Sequence, residues 1–175
     1  MARFLDQTLF AELAEKAAAS PRGRHHHNFH EMEEPCHRLA VGLQPSTYVP
    51  PHRHLSADKA ETLLVLQGRL GVLLFSDSGA VIAKRVMQAG GECSGIDLPP
   101  GVFHGLVVLA ADTVMFECKA GPYRPVGDGE RYVAGQGGQQ EAERGLAERH
   151  EDGAEVGGEG TAAEGVRDGS RQVRE

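Results

Sequence analysis

No stretch of this sequence approaches the roughly 18–20 consecutive apolar residues that a membrane-spanning helix needs. No run of basic residues marks a footprint for a phosphate backbone either. Neither a membrane nor a nucleic acid is therefore an expected partner. The first residues include Asp6 and Glu12, where a secretory leader would carry no acid, so a cytoplasmic location is expected. Cysteine is scarce: Cys36, Cys93 and Cys118 are odd in number and show no C-x-x-C spacing. That pattern argues for free thiols, read as small buried hydrophobes, over a disulfide framework.

Ile, Phe and Met are absent from residue 125 onward, where Tyr132 is the one aromatic. Those 51 residues hold 12 of the 23 glycines and 12 Asp/Glu against 6 Lys/Arg, whereas residues 1–124 carry 13 acids and 12 bases. A segment so poor in apolar side chains cannot offset the entropy of ordering. An acidic, Gly-rich disordered tail is expected over 125–175, and removing everything after Arg124 is expected to leave folding and metal content intact. The remainder has room for one ordinary domain.

Asp6 is a plausible N-cap for an amphipathic helix in which Leu5, Leu9 and Leu13 recur every four residues before Ser20-Pro21-Arg22-Gly23 stops it. This helix and its linker fill residues 1–24. Short apolar runs then follow at 38–43, 61–67, 69–75, 80–87, 104–109 and 113–119. Gly68, Ser76-Asp77-Ser78-Gly79, Gly90-Gly91 and Ala110-Ala111-Asp112 punctuate them. In the last run Val114, Phe116 and Cys118 share one face, Thr113, Glu117 and Lys119 the other, with Met115 interrupting the alternation. Many short strands with no helix between them predict an antiparallel sandwich or barrel over 25–124.

His52 and His54 flank Arg53, so on extended backbone both imidazoles leave the same face. Glu61 opens the next apolar run, and a hairpin connection through Leu55-Ser56-Ala57-Asp58-Lys59-Ala60 would return it beside them. His104 follows the Pro-Gly turn of "LPPGVFHGL". Three imidazoles and a carboxylate converging in a small barrel form an N/O site for one divalent transition metal (Fe, Mn, Ni, Co or Zn), with coordination positions left for water or substrate.

These residues resemble the two motifs of the cupin superfamily: His-x-His, a few residues, Glu, six residues, Gly; then Pro-x-Gly-x-x-His. The chain gives "HRH" at 52–54, Glu61 with Gly68, and "PPGVFH" from Pro99 to His104. Six residues separate His54 from Glu61 where the motif has three or four, and Val108 stands where the second motif ends in asparagine. Over roughly residues 3–124 the sequence is similar to the WbuC family of cupin-fold metalloproteins, bacterial proteins often encoded among surface-polysaccharide genes. The match runs through "FLD", "NFHE" at 28–31, "PPHRH", "LPPGVFHGL" and "ECKAGPY" at 117–123. The resemblance implies a cupin (jelly-roll) double-stranded β-barrel, all-β apart from its N-terminal α-helix, with a metal site and an association with sugar metabolism.

Other residues carry weaker expectations. His25, His26 and His27 read as a solvated loop, since three consecutive histidines cannot all face one ion on regular structure. His30, within "NFHE", could approach the pocket and Tyr123 could donate or accept a proton, which makes these two the catalytic candidates. Arg38 and Lys119 could clamp an anionic substrate. Three functional readings stay open: a metal-dependent isomerase or epimerase acting on a small polar or carbohydrate molecule, an iron-dependent dioxygenase, and a non-catalytic sugar-binding module. Jelly-roll barrels also leave strand edges and a sheet face free, so a homodimer is an expected arrangement.

Overall fold

The computed structural model describes residues 2–125, 127 and 129–131. One helix, α1 (Gln7–Ala19), precedes nine strands: β1 (Arg24–Asn28), β2 (Cys36–Leu43), β3 (Val49–His52), β4 (Glu61–Gln67), β5 (Arg69–Phe75), β6 (Val81–Gln88), β7 (Gly95–Leu98), β8 (Phe103–Val108) and β9 (Thr113–Ala120). They form two antiparallel sheets, ordered β1-β2-β9-β4-β7 and β3-β8-β5-β6. This is the all-β jelly-roll architecture expected from the sequence.

The core lies between the sheets. Leu39, Val41 and Leu43 from β2, Leu63 and Val65 from β4, and Met115 from β9 meet Leu70 and Val72 from β5 and Leu106 and Val108 from β8. Alternate residues of each strand supply this layer, as the two-residue period requires. Gly68 turns β4 into β5 with φ +75°, a conformation that glycine adopts without strain.

The helix begins where Asp6 caps it, its carboxylate accepting from the Leu9 N–H at 3.1 Å. Its buried stripe is Phe10, Leu13, Ala14 and Ala17. Leu9 and Leu13 of the leucine repeat pack toward the sheet, whereas Leu5, ahead of the helix, is exposed. The stripe covers Ala40 and Val114 on the outside of the five-stranded sheet. Both faces of β9 are therefore buried, which corrects the reading of that strand. Val114 packs under the helix, while Met115, Glu117 and Lys119 point between the sheets. Met115 belongs to the inner row rather than interrupting an outer one.

Besides β3, two strands carry no apolar run in the sequence. β1 contains His25, His26 and His27 and pairs with β2 through five register positions, so these histidines are not a loop. β7 pairs with the start of β4. Backbone pairing with a well-patterned neighbour defines both strands, which side-chain pattern alone does not reveal. The cysteines are free, but Cys36 is exposed and Cys93 and Cys118 are only partly covered, so none is a fully buried hydrophobe. Beyond the expected boundary at Arg124, Gly127, Gly129, Glu130 and Arg131 lie against the end of β3. The rest of the expected tail falls outside the described residues. Among the described residues, no helix is long and apolar enough to cross a membrane.

Gly42 marks the closest approach of α1 to the sheet: a Cβ there would sit 2.4 Å from the Leu13 carbonyl oxygen. Gly42→Ala should therefore displace the helix and cost roughly 1–3 kcal/mol, read as a lowered midpoint in thermal unfolding. An unchanged midpoint would mean that α1 is not docked as described.

Candidate metal centre

β3 and β8 pair so that His52 and His104 are Cα partners. Glu61, the first residue of β4, approaches from the opposite sheet, where it pairs with Leu98 on one side and Lys119 on the other. The connection from His54 to Glu61 is tied down by Lys59, whose buried ammonium donates to the Ala120 carbonyl at 2.5 Å and the Pro122 carbonyl at 2.9 Å. That anchorage shows how a six-residue connection still delivers the carboxylate. It also leaves Lys119, not Lys59 or Arg69, as the cation on Glu61, with Nζ 3.3 Å from Oε1.

The second carboxylate oxygen, Oε2, faces the histidines: His104 Nε2 lies 3.3 Å away and His54 Nε2 3.7 Å. The His52 ring centroid is 4.4 Å from that of His104 and 5.4 Å from that of His54. One ligand atom each from His52, His54 and Glu61 fits within a 4.8 Å span, and His104 joins them through Glu61. The Glu61 and His104 side chains are 4% and 3% exposed, so water does little to solvate them.

Hydrogen bonding determines which nitrogens face inward. His52 Nδ1 is 3.0 Å from the Pro50 carbonyl and His104 Nδ1 is 3.0 Å from the Val102 carbonyl. A carbonyl only accepts, so each Nδ1 carries the proton and a neutral ring presents an Nε2 lone pair to the centre. Such outer hydrogen bonds orient metal-ligating histidines. Glu61 Oε2 and His54 Nε2 are buried and have no hydrogen-bond partner. Lone pairs on Nε2 atoms facing a carboxylate oxygen repel unless a cation lies between them. Three imidazole nitrogens and one carboxylate form a donor set suited to a divalent transition metal, so the residues present fit such an ion.

Electrostatics favour the ligand-ready state. Burial, reinforced by the nearby His104, pushes His52 down to about 4, so it is neutral at pH 7. Burial works against ionising Glu61, but the groups around it, His104 and the Lys119 ammonium, outweigh it and hold the carboxyl well below the usual range. Burial likewise opposes charge on Lys119, and the Glu117 and Glu61 carboxylates more than offset it, raising its value. Glu117 is the counterpart: deeply buried and close to the charge of Glu61, it is pushed up to about 7.

These groups sit at one end of a cavity of about 150 Å³ between the sheets. His52, Glu61, His104 and Lys119 all line it, joined by Glu117, which forms an ion pair with Lys119. The sequence reading set Glu117 on the same face of β9 as Lys119 but gave it no role; that shared parity was the available signal. Arg24 and His26 also reach the cavity from β1. Three other sequence candidates lie elsewhere. His30 stacks on His37 with ring centroids 4.0 Å apart and its Nδ1 on the Arg38 backbone. Arg38 pairs with Glu34 at 2.6 Å. Tyr123 is 56% exposed, and its N–H donates to the Met32 carbonyl. None of the three lines the cavity.

Residues 5–87 match the model of a domain of unknown function, DUF6016. No curated protein matches the chain. Among solved structures the chain is similar to KdgF from a Halomonas species, with 20% identity, coverage of 61% of this chain and 84% of that one, and a TM-score of 0.47. It is also similar to the cupin domain of Cnp3 from Schizosaccharomyces pombe, at 13% identity, 55% and 60% coverage and a TM-score of 0.43. A third is the oxalate decarboxylase of Lactobacillus farciminis, at 19% identity, 51% and 25% coverage and a TM-score of 0.41. The chain thus spans most of the Halomonas protein but only 60% and 25% of the other two.

The raised Glu117 carboxyl makes stability depend on pH. From the ordinary value near 4.5 up to about 7 the folded protein holds a proton that the unfolded chain has released. This contribution is complete below 4.5 and is lost as pH rises through 7. In metal-free protein Glu117→Gln should remove that loss, gaining roughly 1–3 kcal/mol relative to wild type between pH 5 and pH 8. Urea unfolding of both proteins at the two pH values checks this, and an equal difference at both would rule out the raised carboxyl.

Proposed function

We propose that this protein holds one divalent transition metal with His52, His54, Glu61 and His104 and acts on a small polar molecule of carbohydrate type, as an isomerase or epimerase. The observation that carries the metal reading is the pair of buried, unpartnered atoms Glu61 Oε2 and His54 Nε2 at the centre of the histidine cluster. The motif resemblance to the WbuC family supports the link to surface-polysaccharide metabolism. The same reading makes this a cytoplasmic protein whose partner is a small molecule rather than nucleic acid or membrane, with a second copy of the chain as its expected homodimer mate.

When bound, such an ion supplies a Lewis acid for a substrate carbonyl or hydroxyl oxygen. The chain's own residues supply the rest. His52 and His104, fixed through their Nδ1 protons, hold their inward faces in place. Lys119 presents its ammonium to the cavity and is suited to orient an anionic or oxygen-rich substrate. Glu117 lies beside it and can take the proton from a carbon next to a carbonyl, the C–H electron pair forming a C=C bond as the C=O π pair moves onto the oxygen. Delivery of that proton by Glu117 to the neighbouring carbon, as the hydroxyl proton passes to the other oxygen, gives the isomer; a proton added from solvent to the opposite face of the first carbon gives the epimer. His30 and Tyr123, the proton carriers expected from the sequence, lie outside the cavity, so Glu117 takes that role here.

Elemental mass spectrometry of untagged protein should find about one iron, manganese, nickel, cobalt or zinc per chain, lost in His104→Ala and Glu61→Gln. Absence of metal after reconstitution would sink the metal reading and favour a metal-free binding module. For the reaction, sugar turnover should vanish on chelation, return on adding back the ion, and fall by about 100-fold or more in Glu117→Gln. Turnover that requires oxygen would instead identify a dioxygenase.

A further inference from the structure

Two of the four ligands, His52 and His54, sit where regular structure gives out. β3 is an edge strand that ends at His52, and its register with β8 is irregular between Val49 and His52. His54 lies past the end of the strand. Its own carbonyl accepts from the Gly101 N–H of the Pro-Pro-Gly turn at 2.7 Å, which holds one side of the segment. On the other side, among the described residues, no strand completes the pairing.

Glu130 occupies that side with both its backbone and its side chain. Its carbonyl accepts from the Arg53 N–H at 2.8 Å, and its Oε1 accepts from the Leu55 N–H at 2.8 Å. Its Oε2 accepts from the Gly127 N–H at 2.7 Å, closing its own turn. Arg53 Nε donates to the Gly129 carbonyl at 3.2 Å, and Arg131 forms an isolated antiparallel bridge with His52. Arg53 and Leu55 alternate with His52 and His54, so the two bonds from their N–H groups to Glu130 act on the backbone that carries the two imidazoles. Arg53 is held further by Asp77, 2.7 Å from its Nη1, and by the Phe103 ring, 4.1 Å from its Cζ.

We propose that Gly127, Gly129, Glu130 and Arg131 form a clasp that holds the His52–His54 segment in metal-binding geometry, with Glu130 as its positioning residue. Glu130 touches neither the cavity nor the ligand atoms. It acts by supplying the acceptors that a paired strand would have supplied. The inference rests on the metal reading above and adds to it a requirement from a part of the chain whose composition suggests no structure. It also reverses the expectation for the chain cut after Arg124, which should fold but bind metal more weakly.

The test compares full-length wild type, Glu130→Ala and Glu130→Gln in titrations with Zn²⁺ and with Mn²⁺ against a competing chelator. Amide hydrogen exchange and thermal unfolding of the metal-free proteins accompany them. Glu130→Ala should weaken metal affinity about tenfold or more, the scale of lost outer-shell support, with the metal-free unfolding midpoint nearly unchanged. Glu130→Gln, which keeps an oxygen for the Leu55 N–H, should recover most of the affinity. The Arg53 and Leu55 amides should exchange faster in the Ala variant. Equal affinity in wild type and Glu130→Ala would overturn the clasp. If wild type takes up no metal, the proposed function fails, and equal protection of the Arg53 and Leu55 amides in wild type and the Ala variant would then overturn the clasp on its own.

Discussion

A single buried carboxylate organises this molecule. Glu61 is removed from water at the junction of the two sheets, a placement that would cost several kcal/mol if it stood alone. Its environment answers that cost on both sides, with Lys119 on Oε1 and the histidines around Oε2. Each compensating group needs its own support, so the demand spreads outward. Lys119 sits over a second carboxylate, Glu117, and Lys59 ties the incoming connection to the carbonyls at the end of β9. His104 and His52 are turned inward by main-chain carbonyls two residues earlier in each strand. The charged end of the barrel is a chain of mutual obligations that begins with one residue.

The aliphatic core has a different part. Leu63, Val65, Leu70, Val72 and Leu106 pack the two sheets together and so set the distance across which Glu61 reaches His104. This packing is what lets groups from opposite sheets come within 3.3 Å. The helix adds to it from outside, burying Ala40 and Val114 and leaving Met115, Glu117 and Lys119 of β9 to face inward.

Much of this was legible in the sequence, and the exceptions share a cause. The ligand residues stand out because histidine and glutamate at those spacings beside apolar runs demand compensation. The strands that bury apolar side chains stand out by their period. β1 and β7 do not, because backbone hydrogen bonds hold them in place and almost any side chain permits those. The inward face of β9 was hidden for another reason: its polar residues Glu117 and Lys119 face the cavity, so polar and apolar sides of the strand do not mark outside and inside. Arg38 and His30 looked suited to the pocket by residue type, but each finds a nearer partner, Glu34 and His37, before it could reach the cavity.

β9 runs between β2 and β4 with hydrogen bonds on both flanks, whereas β3 is short and at an edge. The two halves of the centre therefore differ in stiffness. Lys119, Glu117 and the start of β4 belong to the most thoroughly paired part of the molecule, a template already set before anything binds. His52 and His54 belong to its least paired part and can adjust by fractions of an ångström around whatever arrives. Such a centre would accept ions of different radius by moving His52 and His54 while His104, the carboxylate and the ammonium stay fixed.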